Sequence, residues 1–252
     1  MNFKKPLIGI IPDYQDGSAN NYSTKSFFAI RTTSVDATMR VGGVPIILPY
    51  DHSAIDQYLS LIDGLIVIGG DFDIHPSRYN ESTIHQATKL NLKRSDFEFA
   101  FVTKALENKE FPILGICNGM QLISVIYGGK LIQHIPDLSK YVIHEQSKVE
   151  GFSDYTKPYH DVEIVKNSQL YDIIKQDKIS TNSSHHQGVE SVGDELKIVA
   201  RAHDQMIEAV EKPTHSFCLG VQWHPELNSS PCDIKIFEAF INQSLKFSQT
   251  KK

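Results

Sequence analysis

Cysteine is scarce in this chain: three in 252 residues, an odd number without framework spacing. That excludes a disulfide-stapled extracellular scaffold and points to free thiols in a reducing compartment. Long apolar runs are missing too, the longest being strand-sized, so no segment reads as a membrane span. The opening run, Leu7-Ile-Gly-Ile-Ile11, is also too short for a secretion signal, and a cytoplasmic protein is expected. Positive charge is not in excess. A formal net charge of −5 disfavours nucleic acid as a partner, because phosphate binding needs a basic patch. The one basic cluster, Lys246-Phe-Ser-Gln-Thr-Lys-Lys252, reads as a solvated, frayed tail. Repeats, low-complexity segments and linker composition are absent, so residues 1–252 read as a single domain. No Gly-x-Gly-x-x-Gly accompanies the pair Gly69-Gly70, which excludes a Rossmann cofactor site.

What is present is alternation. Apolar, β-branched runs at 7–11, 45–48, 64–68 and 112–116 are separated by helix-length segments at 27–41, 53–61 and 94–106. This pattern predicts βαβ units, with a mostly parallel central sheet and helices on both faces. Phe97, Phe101 and Ala105 recur at four-residue steps as a buried stripe. The second half differs. Residues 141–158 are polar and irregular, an expected surface excursion, whereas 160–165, 196–200, 206–210 and 217–222 read as added antiparallel or mixed strands. An amphipathic helix over 233–247, with Ile236, Phe237, Phe240 and Ile241 on one side, closes the chain.

The segment richest in chemistry is Phe111-Pro-Ile-Leu-Gly-Ile-Cys117-Asn-Gly-Met-Gln121. An apolar run drives into a cysteine flanked by Gly115 and Gly119, then helical spacing follows and Gly128-Gly129 stops it. That is the layout of a nucleophile elbow. The glycines are expected to keep side chains clear of the tight turn and of an approaching substrate. A lone Gly-x-Cys-x-Gly is equally compatible with a buried cysteine at a strand end. A nucleophilic cysteine needs a base, and His224 in Gly220-Val-Gln-Trp-His224-Pro-Glu226 stands out. Read as a strand end, the period of two puts Glu226 on the same side as His224, where a carboxylate can orient the imidazole. Acyl transfer also needs oxyanion donors. The amide of Asn118 is one candidate, and the loop Gly69-Gly70-Asp71 is the other. Cys218 and Cys232 read as passive residues.

Together these segments resemble the class I glutamine amidotransferase superfamily. Lys93-Arg94-Ser-Asp96-Phe-Glu98, Gly69-Gly70-Asp-Phe-Asp73-Ile-His-Pro76, Asn182-Ser183-Ser184-His185-His186-Gln187 and Met206-Ile-Glu-Ala-Val-Glu211 narrow this to the γ-glutamyl-γ-aminobutyrate hydrolase-like, or peptidase C26-like, branch. The resemblance implies a flavodoxin-like amidotransferase core and hydrolysis of a γ-glutamyl amide through a γ-glutamyl thioester on Cys117. It assigns His224 and Glu226 to the rest of a triad, and Gln121 to binding the glutamyl group. Ser184, His185, His186 and Gln187 would lie over that group. It implies a small-molecule substrate, no cofactor, no metal and, at family level, a homodimer. Neighbouring His185 and His186 are not expected to share an ion, since adjacent strand residues point oppositely.

Two positions depart from the family pattern. Asn118 stands where arginine is more usual, which leaves the leaving amine open. The spacing of Gly-Gly-Asp-Phe-Asp-Ile-His-Pro leaves open whether Gly70 or Asp71 completes the oxyanion hole. Two rival functions are carried: a glutaminase subunit that passes ammonia to a synthetase partner, and a catalytically silent binding protein on the same fold.

Overall fold

Short apolar strands buried on both sides organise the computed structural model, which describes residues 5–20 and 22–251. The first half runs β1 (Leu7–Ile10), β2 (Asp13–Gln15), β3 (Phe27–Ala29), α1 (Thr32–Arg40), β4 (Val44–Ile47), α2 (Ile55–Leu61), β5 (Gly64–Val67), α3 (Leu92–Leu106), β6 (Ile113–Ile116) and α4 (Asn118–Ile126). The second half runs β7 (Lys130–Ile132), β8 (His160–Ile164), α5 (Gln169–Ile174), β9 (Lys178–Thr181), β10 (Gly188–Ser191), β11 (Lys197–Ala202), β12 (Ile207–Glu211), β13 (Cys218–Val221) and α6 (Asp233–Thr250).

The core is a parallel sheet in the order β4-β1-β5-β6-β13. Strands β12, β11, β8 and β9 extend it antiparallel, and β10 links β12 to β7. Every residue of β5, β6 and β13 is buried, which is why these strands read as unbroken apolar runs. One face packs Ala37 of α1, Leu170 and Ile174 of α5, and Ile236, Phe237, Phe240 and Ile241 of α6. The other packs Phe97, Phe101 and Ala105 of α3 with Met120, Leu122 and Ile123 of α4. This is the α/β layering with an antiparallel addition that the sequence pattern predicts.

Three expectations are corrected. Residues 27–29 form a strand that pairs with 13–15, and the helix begins only at Thr32. Phe28 is held there by edge contacts to Tyr14 and Tyr50, a tertiary use of an aromatic that helical spacing does not reveal. The basic tail is not frayed: α6 continues to Thr250, and the Lys251 ammonium donates to the Ile62 carbonyl at 2.6 Å, beside Asp63 at 3.6 Å. Met1 to Lys4 and Lys252 lie outside the described residues. Finally, the 141–158 excursion is not wholly superficial, because His144 and Gln146 are buried.

Candidate active site

The elbow is built where β6 meets α4. Cys117 has φ 53° and ψ −107°, a combination that a non-glycine residue adopts only when its surroundings force it. Its N–H is anchored on the Val221 carbonyl at 2.8 Å. The flanking glycines are required by packing. A β-carbon on Gly119 would lie 2.0 Å from the Val67 carbonyl oxygen, and one on Gly115 would lie 2.8 Å from the Gly119 backbone. They let helix and strand close on each other rather than clearing a path for substrate, a different reason from the one the sequence suggests.

His224 and Glu226 do meet, but by another route than strand alternation. Strand β13 ends at Val221, and Pro225–Leu227 is a 3₁₀ turn that folds the carboxylate back on the ring. His224 Nδ1 lies 2.8 Å from Glu226 Oε1, both side chains being almost fully buried. Asn182 holds this turn from both sides: its Oδ1 accepts from His224 N–H at 2.9 Å and its Nδ2 donates to the His224 carbonyl at 2.8 Å. Gly69 shows where thiol and imidazole come together. A β-carbon there would sit 3.0 Å from His224 Cε1 and 3.7 Å from Cys117 Sγ. Burial alone would depress the imidazole, yet the charge of Glu226 and the adjoining Cys117 outweigh it and hold the His224 pKa well above its ordinary value.

The loop after β5 is fixed by Arg94, a buried guanidinium on α3. It donates to the carbonyls of Ile68 at 3.2 Å and Gly69 at 3.3 Å, and pairs with Asp13 at 2.5 Å and Glu98 at 3.0 Å. A β-carbon on Gly70 would strike its Nη1 at 1.7 Å. The sequence contained this residue within a motif but offered no role for it.

A cleft of about 390 Å³ opens over the elbow. Cys117, Asn118, Gln121, Gly70 and Asp71 line it, as do Ser184, His185, His186 and Gln187, so every position expected of an oxyanion hole or glutamyl contact is on its wall. Asp73, Lys89, His134, Glu145 and Lys148 were not anticipated there. Gln121 Nε2 donates to the Gln187 carbonyl and to Gln222 Oε1, each at 3.1 Å. The Asn118 side-chain Nδ2 donates to the Phe72 carbonyl at 3.3 Å. His185 and His186 point apart: His185 Nδ1 bonds to the Gln187 carbonyl at 2.8 Å, whereas His186 Nε2 meets Asp73 at 3.1 Å. Burial holds the His185 imidazole well below its ordinary pKa.

The sequence profile of the peptidase C26 family matches residues 6–226. The chain belongs to the peptidase C26 family. A Rickettsia prowazekii protein named only as glutamine amidotransferase-like is 35% identical, covering 96% of this chain and 98% of its own length. Protein NtpR of Enterococcus hirae is 33% identical, with 94% and 99% covered. The γ-glutamyl-γ-aminobutyrate hydrolase PuuD of Escherichia coli K12 is 29% identical, with 94% and 92% covered. Among solved structures, the glutaminase domain of Trypanosoma brucei CTP synthase superposes with a TM-score of 0.60 at 18% identity, covering 96% and 94% of the two chains. A GMP synthase component from Thermoplasma acidophilum superposes at 0.64 with 16% identity, covering 98% of each. These last two establish the amidotransferase-like fold alone. This C26 protein is thus a glutamine amidotransferase-like hydrolase. Among its described residues, no helix is long and apolar enough to cross a membrane.

Proposed function

We propose that this C26 hydrolase cleaves γ-glutamyl amides, releasing glutamate and an amine, with Cys117 as nucleophile. The observation that carries the reading is the strained Cys117 at the cleft floor with the buried His224–Glu226 pair beside it. The thiolate attacks the γ-carbonyl carbon, and His224 delivers a proton to the departing amine. The γ-glutamyl thioester is then attacked by water, whose proton passes to His224, and glutamate leaves. Glu226 fixes the ring tautomer and balances its positive charge.

Two amides are suited to the oxyanion. Asn118 N–H lies in the first turn of α4, where helix N–H groups lack intrahelical partners. In the trans peptide joining Gly69 to Gly70, the carbonyl faces Arg94, so the Gly70 N–H faces the opposite way. This favours Gly70 over Asp71 as the second donor. Gln121 has both amide hydrogens committed to protein acceptors, which leaves its carbonyl oxygen to accept from the α-ammonium of a glutamyl group. The cleft volume falls within the ~300–1,000 Å³ of sites that enclose whole small molecules. Together with the charged groups beyond the glutamyl contacts, this supports an amide with a substantial amine portion, and γ-glutamyl-γ-aminobutyrate, the substrate in the PuuD relative's name, belongs to that class.

A panel of γ-glutamyl amides assayed for released glutamate tests the reading, alongside free glutamine. Turnover of several amides by the chain alone is the expected result. Mass spectrometry after treatment with an electrophilic glutamine analogue is expected to show one adduct, on Cys117. Turnover of glutamine only in the presence of a synthetase would favour the ammonia-delivering alternative, and no adduct with no turnover would favour a silent binding protein.

A further inference from the structure

Beneath the wall of the cleft lies a second constellation, of which only His185 also lines the cleft. Glu208 on β12 is completely buried, and neither carboxylate oxygen accepts a hydrogen bond. A buried carboxylate without a donor is costly unless a cation meets it or it takes up a proton. Three imidazoles surround its Oε1: His144 Nδ1 at 3.4 Å, His160 Nε2 at 3.8 Å and His185 Nε2 at 3.8 Å. The ligand atoms of His144, His160 and Glu208 all lie within 4.8 Å of one another.

We propose that His144, His160 and Glu208, with His185 as a fourth donor, form a structural site for a first-row divalent transition metal, Zn²⁺ by preference. Two tetrahedral ligand atoms, each about 2.1 Å from zinc, are separated by about 3.4 Å. The three spacings to Glu208 Oε1 are close to that separation, and the two at 3.8 Å are too long for hydrogen bonds. The nitrogens that face Glu208 on two of the rings are already set for ligation, because the opposite nitrogen of each is anchored. His144 Nε2 is 3.0 Å from Asp204 Oδ2, the carboxylate–histidine arrangement that leaves Nδ1 as the free base. His185 Nδ1 donates to the Gln187 carbonyl, leaving Nε2 bare and without a hydrogen-bond partner. Ser183 Oγ approaches His144 Nδ1 at 3.4 Å but donates its hydrogen to the His144 carbonyl at 2.7 Å. Both nitrogens of His160 lack hydrogen-bond partners, so either tautomer leaves a nitrogen to be satisfied. Imidazole and carboxylate together suit zinc and its first-row neighbours.

The four ligands come from four segments: the 141–158 excursion, the start of β8, the 182–187 loop and β12. An ion there would clamp the excursion and the loop to the antiparallel extension. Its effect would reach the cleft through the Gln187 carbonyl, which accepts from both His185 and Gln121. This role is separate from the proposed chemistry at Cys117.

The test is metal content by plasma mass spectrometry, with thermal unfolding, on untagged full-length protein from zinc-supplemented cells after dialysis into metal-free buffer. The expected result is about one zinc per chain, a Tm that falls with a strong chelator, and recovery on adding Zn²⁺ alone. His160→Ala and Glu208→Gln should each abolish retention, and Asp204→Asn should weaken affinity about 10–100-fold. Should these variants fail to fold, the chelation and readdition experiment on the natural protein decides. Metal-free protein whose Tm ignores chelator and Zn²⁺ would overturn the proposal, as would equal retention by folded variants. Neither readout depends on hydrolysis, so this site and the reading of Cys117 can fail independently.

Discussion

At the scale of single residues, Cys117 concentrates the conflict between stability and reactivity. Its backbone strain is worth roughly 1–3 kcal/mol, a cost relieved by a residue that tolerates positive φ. Cys117→Gly should therefore unfold no earlier than the natural protein in urea, although a buried side chain is deleted. Cys117→Ser should keep the fold and lose at least ~10³-fold in kcat, since the proposed nucleophile is gone. Near-normal rates in the serine variant would refute the thioester route. His224 gives a prediction with a definite sign. Its raised pKa holds the imidazolium to higher pH than an unperturbed histidine would, so the alkaline fall in activity should lie above that of an ordinary imidazole. Glu226→Gln removes the charge that sustains the shift, so the alkaline limb should move towards lower pH and kcat should fall less than in His224→Ala. A limb that stays in place would detach the carboxylate from His224.

At the scale of elements, the proposed oxyanion loop depends on a helix it never touches in sequence. Arg94 reaches from α3 to two loop carbonyls while compensating two acidic groups, Asp13 and Glu98. Arg94→Met would leave those acids buried and unpaired, at a cost of about 3–5 kcal/mol. Arg94→Lys keeps the charge but loses the planar fork of donors. Its stability should fall less, yet kcat should drop at least ~10-fold with KM little changed, because the loop loses its orientation. Equal effects on KM and kcat in a well-folded lysine variant would contradict a positioning role. This element also shows what the sequence could and could not reveal. The stripe Phe97–Phe101–Ala105 was legible because helical period and burial coincide. The role of Arg94 was not, because its partners lie at 13, 68, 69 and 98, and order alone does not bring them together. The same holds for His224 and Glu226: two residues apart, they were legible as a pair, but their contact comes from a turn begun by Pro225.

At the scale of the whole molecule, the parallel half was readable as alternating runs, whereas β7, β9, β10 and α5 were not. Those elements are short and polar on one side, and pairing with the sheet sustains them more than any local pattern. The buried cluster around Glu208 was hidden for a related reason: its histidines, at 144, 160 and 185, sit in separate segments that are joined only by the antiparallel extension. The two apolar layers lie on opposite faces of the same strands, which argues for one cooperative unit. Trp223, the only tryptophan, is fully buried beside His224 and donates to Asp233 at the start of α6 at 3.2 Å. Its fluorescence therefore reports on the join between the cleft and one layer, while far-UV circular dichroism reports on all elements. We expect the two signals to coincide in urea. Phe101→Ala in one layer and Phe240→Ala in the other should each cost about 3–5 kcal/mol and shift both signals together. Coincidence is not the default at this chain length, so the test is a demanding one. A tryptophan transition that precedes the loss of secondary structure, or a Phe101→Ala variant that leaves it unmoved, would divide the molecule into separately folding parts and overturn the single-domain reading.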